Sequence, residues 1–409
     1  MTPLPRALAA EAALYAQTTA YSLSLGAVIV LVPLYILSLG YNPGWLGAII
    51  AGQGLFQVGL RLFGGVLSDK LGERWVIQAS FAMLIAGALG LALSSSLVWL
   101  ILAQALFGGS RSVYWTSAQS YGSRIDETRP AQLMGRFFGF GAAGGLLGNA
   151  GGGIAAAAWG YQPGFLIVAG LSAGAMLVVA LMPQLPRRAA RSMRAILAPV
   201  PGVFRTRATA LPAIMAFATS LQVAVLGSVG AALYREFGFS DGEFGLLMAV
   251  HGIGAVPAGF AFAGILRVTG ERTSYALTLG AHGALLFGVV AWGDAYWAAV
   301  ALMFALGFSF NAGRVFNTSL TAMASTPEQR GVFMAVVGIY WASGQMLGPL
   351  LFGPLAAITS VSTSVAATGA AMLATAALTP LLYAAFGAPP ASGPVPDPSH
   401  KSEEGENRA

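Results

Sequence analysis

The sequence predicts an all-α membrane protein of twelve transmembrane helices arranged as two pseudo-symmetric six-helix bundles. Composition is the first reason. Of 409 residues, 56% are hydrophobic and only 9% charged, with a mean hydropathy of +0.72, whereas a soluble domain carries about 25% charged residues. The second reason is spacing: stretches of the roughly 20 apolar residues that a spanning helix needs recur along the chain between Gly, Pro and charged punctuation. The third is an internal repeat that relates the second half of the chain to the first.

The first predicted span, 12–38, is dotted with Gln17, Thr18, Thr19, Ser22 and Ser24. It lacks a short apolar core followed by a small-residue cleavage site, so it is expected to stay as a helix and not be removed as a signal. Spans 44–67 and 75–94 flank a charged loop, and spans 97–123, 133–158 and 163–183 complete the first half. The longest internal hydrophilic stretch, RRAARSMRAILAPVPGVFRTR, comes next. In it Met193, Ile196 and Leu197 share one face of a short basic helix, an arrangement suited to anionic headgroups and equally to a solvated loop. Spans 210–234, 242–266, 273–292, 296–323, 330–357 and 362–386 follow. Residues 1–185 and 210–386 are therefore expected to form the two bundles, 186–209 a basic linker, and 387–409, rich in Pro, Ser and Glu, a disordered tail.

Lys and Arg accumulate in cytoplasmic loops, and here they are strongly segregated. Seventeen of the 21 basic residues fall at the termini or in even-numbered loops; odd-numbered loops carry only Arg235, and Arg61, Arg111 and Arg314 lie inside spans. Both termini are thus expected in the cytoplasm. The net charge of +6 is accounted for by topology, without nucleic acid as a partner. The chain has no cysteine, which excludes disulfides and thiolate chemistry. No Ser/His/Asp set, metal cluster or phosphate loop is legible, so neither an enzyme nor a bound cofactor is expected. Arg far outnumbers Lys and the loops are short, which fits a multi-pass protein of a bacterial inner membrane.

The repeat is read at an offset of 198, where Gly44, Gly47, Ala51, Gly54, Val58, Gly72, Glu73 and Arg74 fall on Gly242, Gly245, Ala249, Gly252, Val256, Gly270, Glu271 and Arg272 without a gap. At offset 200, Gly144, Leu147, Gly148 and Gly153 fall on Gly344, Leu347, Gly348 and Gly353. Between spans 2 and 3 stands GGVLSDKLGERW, which matches the pattern G-x-L-x-D-[RK]-x-G-x-R through Gly65, Leu67, Asp69, Lys70, Gly72 and Arg74. On these residues the chain resembles the major facilitator superfamily. The resemblance implies two six-helix bundles, a central site lined by helices 1, 4, 7 and 10, and a cytoplasmic latch in which Asp69 meets the N-terminus of helix 11. That helix start reads STPEQRG, with Thr326 as cap, Pro327 first and Gln329 closing a capping box. The resemblance also makes Arg124 a salt-bridge partner for Asp69. In the second half Arg267 occupies the position of Asp69, so the two latches are expected to differ. Helix 5 carries Gly135, Gly144, Gly148, Asn149 and Gly152, which resembles the antiporter pattern G-x8-G-x3-G-P-x2-G with Asn149 in place of proline. Close packing of small residues against a neighbouring helix explains the same glycines.

Ionisable residues inside spans are functional hypotheses by default. Arg111 in helix 4, with Tyr114 and Trp115 close by, and Arg314 in helix 10, flanked by Asn311 and Asn317, are expected to face the central cavity. Arg61, near the cytoplasmic end of helix 2, is expected to be structural. No acid lies inside the predicted spans apart from Glu243 near the edge of helix 8. Planar guanidinium groups suit carboxylate or phosphate, which points to an anionic solute, while capping of backbone carbonyls on a neighbouring helix accounts for the same arginines equally well. Gln17, Tyr21, Gln53, Gln222 and Tyr340 are the neutral polar candidates. Proton coupling needs a group that titrates, and of His251 and His282 the former is preferred, because Gln53 occupies its repeat position. The expected function is a monomeric secondary transporter of a small solute, an organic anion by these arginines. A proton-coupled drug exporter is the alternative that the loop and the helix 5 glycines fit, and a transporter-like sensor or channel ranks below both.

Overall fold

The computed structural model describes residues 4–126, 129–185, 198, 200–325 and 330–386. No strand occurs among them. Backbone N–H and C=O groups in a bilayer core must be satisfied within the protein, and a helix does so locally. Every predicted span coincides with a helix or a bent pair of helices. The first half comprises α1 (Leu4–Ser38), α2 (Pro43–Leu71), α3 (Glu73–Leu93), α4 (Leu97–Ile125), α5 (Pro130–Trp159) and α6 (Tyr161–Leu181). The second comprises α7a (Ala210–Gly227) with α7b (Val229–Glu236), α8 (Asp241–Thr269), α9 (Glu271–Trp292), α10 (Tyr296–Met323), α11 (Arg330–Ile358), and α12a (Val361–Ala377) with α12b (Thr379–Phe386). Among the described residues nine helices are long and apolar enough to cross a membrane, or ten with the bent α12 pair as one. The 29-residue α2 and 30-residue α5 are of spanning length as well, at about 1.5 Å per residue.

Local signals set the helix boundaries. Asn42 caps α2 by accepting the Trp45 N–H at 3.0 Å, with Pro43 in the first position, and Ser240 and Glu243 form a capping box on α8. Gly72 and Gly270, equivalent in the repeat, both turn the chain with positive φ, +90° and +77°, a conformation that costs glycine little. Two predicted spans are not continuous. Helix 7 breaks at Ser228, whose hydroxyl donates back to the Ala224 carbonyl at 2.6 Å, and helix 12 bends by 53° at Leu378, where Pro380 lacks the N–H a continuous helix would use. The linker residues Met193, Ile196 and Leu197 and the whole 387–409 tail lie outside the described residues.

The two halves meet along two equivalent seams, α2 against α11 and α5 against α8. On the side away from the termini the seams are backbone-on-backbone. A Cβ on Gly245 of α8 would stand 2.7 Å from the Gly153 Cα and 2.8 Å from the Asn149 carbonyl oxygen of α5; one on Gly47 of α2 would stand 2.9 Å from the Gly353 Cα and overlap the Pro349 carbonyl of α11. Asn149 and Pro349 are themselves equivalent in the repeat, so one seam is a copy of the other. Asn149 adds a cross-seam hydrogen bond from its amide nitrogen to the Met248 carbonyl, 3.2 Å. Toward the termini α5 parts from α8: at Gly139 and Gly135, one heptad before Leu146 and two before Asn149 on the same face, a Cβ would meet only open space. The molecule is closed on the far side and splayed on the side of its termini.

Within each bundle the repeat reproduces its crossings. Gly108 of α4 lies against the Gln53 backbone of α2, and Gly307 of α10 against the His251 backbone of α8. The helix 5 glycines pack on α1, Gly144 on Thr19, Gly148 on Leu23 and Gly152 on Ala27. Small residues here let two backbones approach, the association device available where lipid supplies no hydrophobic drive.

Candidate functional site

The charged loop between α2 and α3 departs from expectation in its pairing. Arg124 forms its ion pair with Glu73, which also accepts from the Ser120 hydroxyl at 3.0 Å, and not with Asp69. Asp69 makes no hydrogen bond or ion pair to a described residue. Glu73 is the better placed acid because it opens α3, is almost fully buried, and sits where the helix dipole favours an anion. Arg74 donates to the Met182 carbonyl at 3.1 Å, joining this corner to the end of α6. Lys70 is exposed. The expected partner of Asp69, the start of helix 11 with Thr326, Pro327 and Gln329, lies outside the described residues, and nothing is described of the Gly65 surroundings. A second ionic cluster on the same side joins Glu11 of α1 to Arg129 at 3.3 Å and to Arg136 at 3.0 Å.

Of the polar side chains expected to meet solute, Gln17, Tyr21, Tyr114 and Gln222 are buried in this structure, and Trp115, Asn311 and Tyr340 are half-buried. Tyr21 and Tyr114 are fully buried and stack with ring centroids 3.4 Å apart. The Tyr114 hydroxyl donates to Gln17 Oε1 at 2.9 Å and also lies 3.1 Å from Thr18 Oγ1, and Tyr21 pairs with Ser110 at 3.0 Å. Trp115 continues this aromatic cluster toward Phe137 and Phe138 of α5. Gln222 of α7a is buried with both amide atoms unpartnered. Asn311 ties α10 to α8 through the Ala255 carbonyl at 2.7 Å. Tyr340 packs against Phe204 of the short helix Val200–Arg205, within a small apolar cluster of Val200, Val203, Phe333 and Val336. Periodicity placed these residues on interior faces; whether an interior face meets a neighbouring helix or a hollow depends on the assembled bundle.

The arginines behave differently. Arg111 stands at the midpoint of α4, and Arg314 lies nine residues from the end of α10. Arg314 is exposed although it projects between the halves, its guanidinium 5.8 Å from the Phe310 ring and 6.0 Å from the Trp341 ring of α11, a cation–π box. Arg111 lies within electrostatic reach of Tyr21, of Arg314 and of Arg61. It makes no hydrogen bond to a described residue, and none of its guanidinium nitrogens is sealed. Gln53 and Asn317 are half-buried at this level, with the Gln53 amide nitrogen unpartnered. Among the described residues every acid lies toward a helix end or in a loop, and no group of three metal-ligating side chains occurs.

The histidines form a separate feature inside the second bundle. His251 is buried against Phe310, ring centroids 5.3 Å apart, with Nε2 unpartnered. His282 is fully buried, its Nδ1 2.6 Å from the Thr278 carbonyl and 2.5 Å from the Ser309 hydroxyl, and its Nε2 is also unpartnered. Ser309 was not legible as a partner, because its contact with His282 crosses from α10 to α9.

The comparisons with known proteins agree with this architecture. The quinolone resistance protein NorA of Staphylococcus aureus (strain MRSA252) is 23% identical over 341 residues, covering 81% of this chain and 86% of NorA. Among solved structures, a point variant of the nucleoside transporter NupG superposes with a TM-score of 0.79 at 14% identity, covering 91% of this chain and 99% of that one. A bacterial homologue of the human lysosomal transporter Spinster, in an inward-facing and unoccupied conformation, gives a TM-score of 0.70 at 14% identity, covering 94% and 97%. Likenesses at this identity speak to fold alone. The Major Facilitator Superfamily matches residues 14–211 and again residues 212–408, one copy for each half of the repeat. With two bundles joined along equivalent seams and a family match that spans both, this multi-pass membrane chain belongs to the Major Facilitator Superfamily of transporters.

Proposed function

We propose that this transporter carries a small organic anion by alternating access, with the solute held between Arg111 and Arg314. One observation carries the reading: these two side chains come from opposite halves, lie within electrostatic reach of each other, and have no carboxylate partner among the described residues. Guanidinium stays protonated, so counter-charge has to be brought in, and a carboxylate or phosphate matches its fork. A site shared by both halves is what rocking of one bundle against the other exposes to each side in turn. The splayed side is the cytoplasmic one by the segregation of Lys and Arg, in a bacterial inner membrane, with residues 1–185 and 210–386 as the rocking bodies and Asp69 as the latch that closes that face. The test is ligand-induced stabilisation of purified protein by carboxylates, sugar phosphates, sugars and lipophilic cations, followed by counterflow in proteoliposomes. Stabilisation by anions that disappears in Arg111→Gln and Arg314→Gln is expected. Stabilisation by lipophilic cations alone overturns the reading.

The second reading, proton-coupled drug efflux, is favoured by the similarity to NorA and by the helix 5 glycines. In either case His251 is the coupling residue we propose, buried with a free ring nitrogen. Uptake by His251→Gln should lose its dependence on an imposed pH gradient while counterflow persists; retention of that dependence removes the assignment.

A further inference from the structure

A third arginine joins the site. Arg61 of α2 was expected to be structural, yet it hydrogen-bonds to no described residue, and none of its guanidinium nitrogens is sealed from solvent. Its guanidinium lies across Gly338 of α11, where a Cβ would stand 2.6 Å from a terminal nitrogen and 2.7 Å from Cζ. A side chain rooted in the first half thus rests on bare backbone of the second, at the α2–α11 seam. It stands ten residues from the end of α2, as Arg314 stands nine from the end of α10. At about 1.5 Å per residue the two lie at matching depth on their helices, and Arg61 lies within electrostatic reach of Arg111.

The charge balance at this level is therefore three guanidinium groups against no acid among the described residues. Glu11 is held by Arg129 and Arg136 and Glu73 by Arg124, all toward the termini. Asp241 faces Tyr161 and Arg235 on the far side, Glu243 caps its own helix, and Glu271 accepts from Tyr383. Asp69, Asp126, Glu236 and Asp294 are likewise at helix ends or in loops. One negative charge leaves two cations uncompensated in a medium where unpaired charge is costly; two or more negative charges approach neutrality, each anionic group able to take a fork-shaped contact.

We propose that Arg61 is a solute-contacting residue and that the three arginines of α2, α4 and α10 select a small dianion over the corresponding monoanion. This rests on the organic-anion reading and narrows it. Because Arg61 touches α11 when the far side is closed, filling of the site by a dianion ties the two halves together through α2 and α11.

The experiment compares matched probes on the purified full chain: succinate against its monomethyl ester, with sulfate and inorganic phosphate as further dianions, by thermal shift and by titration in detergent. Succinate, sulfate or phosphate should stabilise the protein at concentrations about tenfold or more below the monoester, the factor expected of one further charged hydrogen-bonding contact. Arg61→Gln should erase that preference, weakening the dianion about tenfold or more and the monoester under about threefold. Arg61→Lys should restore part of it. Gly338→Ala displaces the guanidinium without changing the charge and should weaken dianions alone, which keeps the test informative should Arg61→Gln fail to fold. Equal binding of monoester and dianions by the native chain, or equal losses for both in Arg61→Gln and Gly338→Ala, overturns the dianion site and leaves the organic-anion reading standing. Stabilisation by no anion at all, with lipophilic cations active, overturns both.

Discussion

Gly245→Ala tests the far-side closure directly. The new Cβ would stand 2.7 Å from the Gly153 Cα, 2.8 Å from the Asn149 carbonyl oxygen and 3.0 Å from the Gly153 N–H nitrogen, where ordinary contact begins at 3.4 Å. All three neighbours are backbone atoms of α5, so no side chain can swing away. The helices must separate by roughly the missing 0.7 Å, and forcing a methyl into a packed contact costs about 1–3 kcal/mol. That cost falls only on the far-side-closed state, because the opposite state parts these helices, and 1–3 kcal/mol corresponds to about a 5- to 150-fold change in the ratio of two states. The absence of native cysteine makes the assay clean. Spin labels at Leu39→Cys and Asp294→Cys, both exposed on the far side in opposite halves, should report a new population at longer distance in Gly245→Ala. Gly151→Ala, two residues before Gly153 on the opposite face of α5 and in open space, should change nothing. An unchanged distance distribution in Gly245→Ala, with Gly151→Ala identical to it, would show that the far seam does not set the conformational balance.

Three further outcomes follow from the same contacts. Asn149→Ala removes the cross-seam hydrogen bond to Met248 and should shift the same distance distribution more weakly, by about 0.5–1.5 kcal/mol; a shift as large as that of Gly245→Ala would contradict the ranking. Arg124→Gln strands the buried Glu73 carboxylate and should lower stability by about 3 kcal/mol or more, seen as a fall in melting temperature. Asp69→Asn, which breaks no ion pair among the described residues, should change stability by less than about 1 kcal/mol, and a larger fall for Asp69→Asn than for Arg124→Gln would reverse the assignment of the acid at this corner. Tyr114→Phe leaves Gln17 and Thr18 short of a partner in the core of the first bundle and should destabilise by about 1–3 kcal/mol with anion selectivity intact; lost selectivity at native stability would return Tyr114 to the site.

Much of the fold was legible because bilayer physics is read locally. A run of 20 apolar residues announces a span wherever it stands. The same holds for the repeat, since equivalent seams need small residues at equivalent positions: Gly47 and Gly245 close the two seams, and Gly72 and Gly270 make the same turn with the same positive φ. The breaks at Ser228 and Leu378 were not legible, because glycine, serine and proline are tolerated within spans when neighbouring helices re-satisfy the backbone.

The sequence by itself determined the twelve spans, the two-fold repeat and the presence of three mid-membrane arginines with no embedded acid to match them. Only the tertiary structure decided which polar residues reach the space between the halves. Tyr114 shares α4 with Arg111 yet points into a bundle, as do Gln17 and Tyr21 of α1, whereas Arg61, dismissed on its position along α2, reaches across to Gly338. It also gave Arg124 to Glu73 and not to Asp69. Helical periodicity fixes the direction of a side chain about its own axis, and what waits in that direction is set by helices far away in the chain.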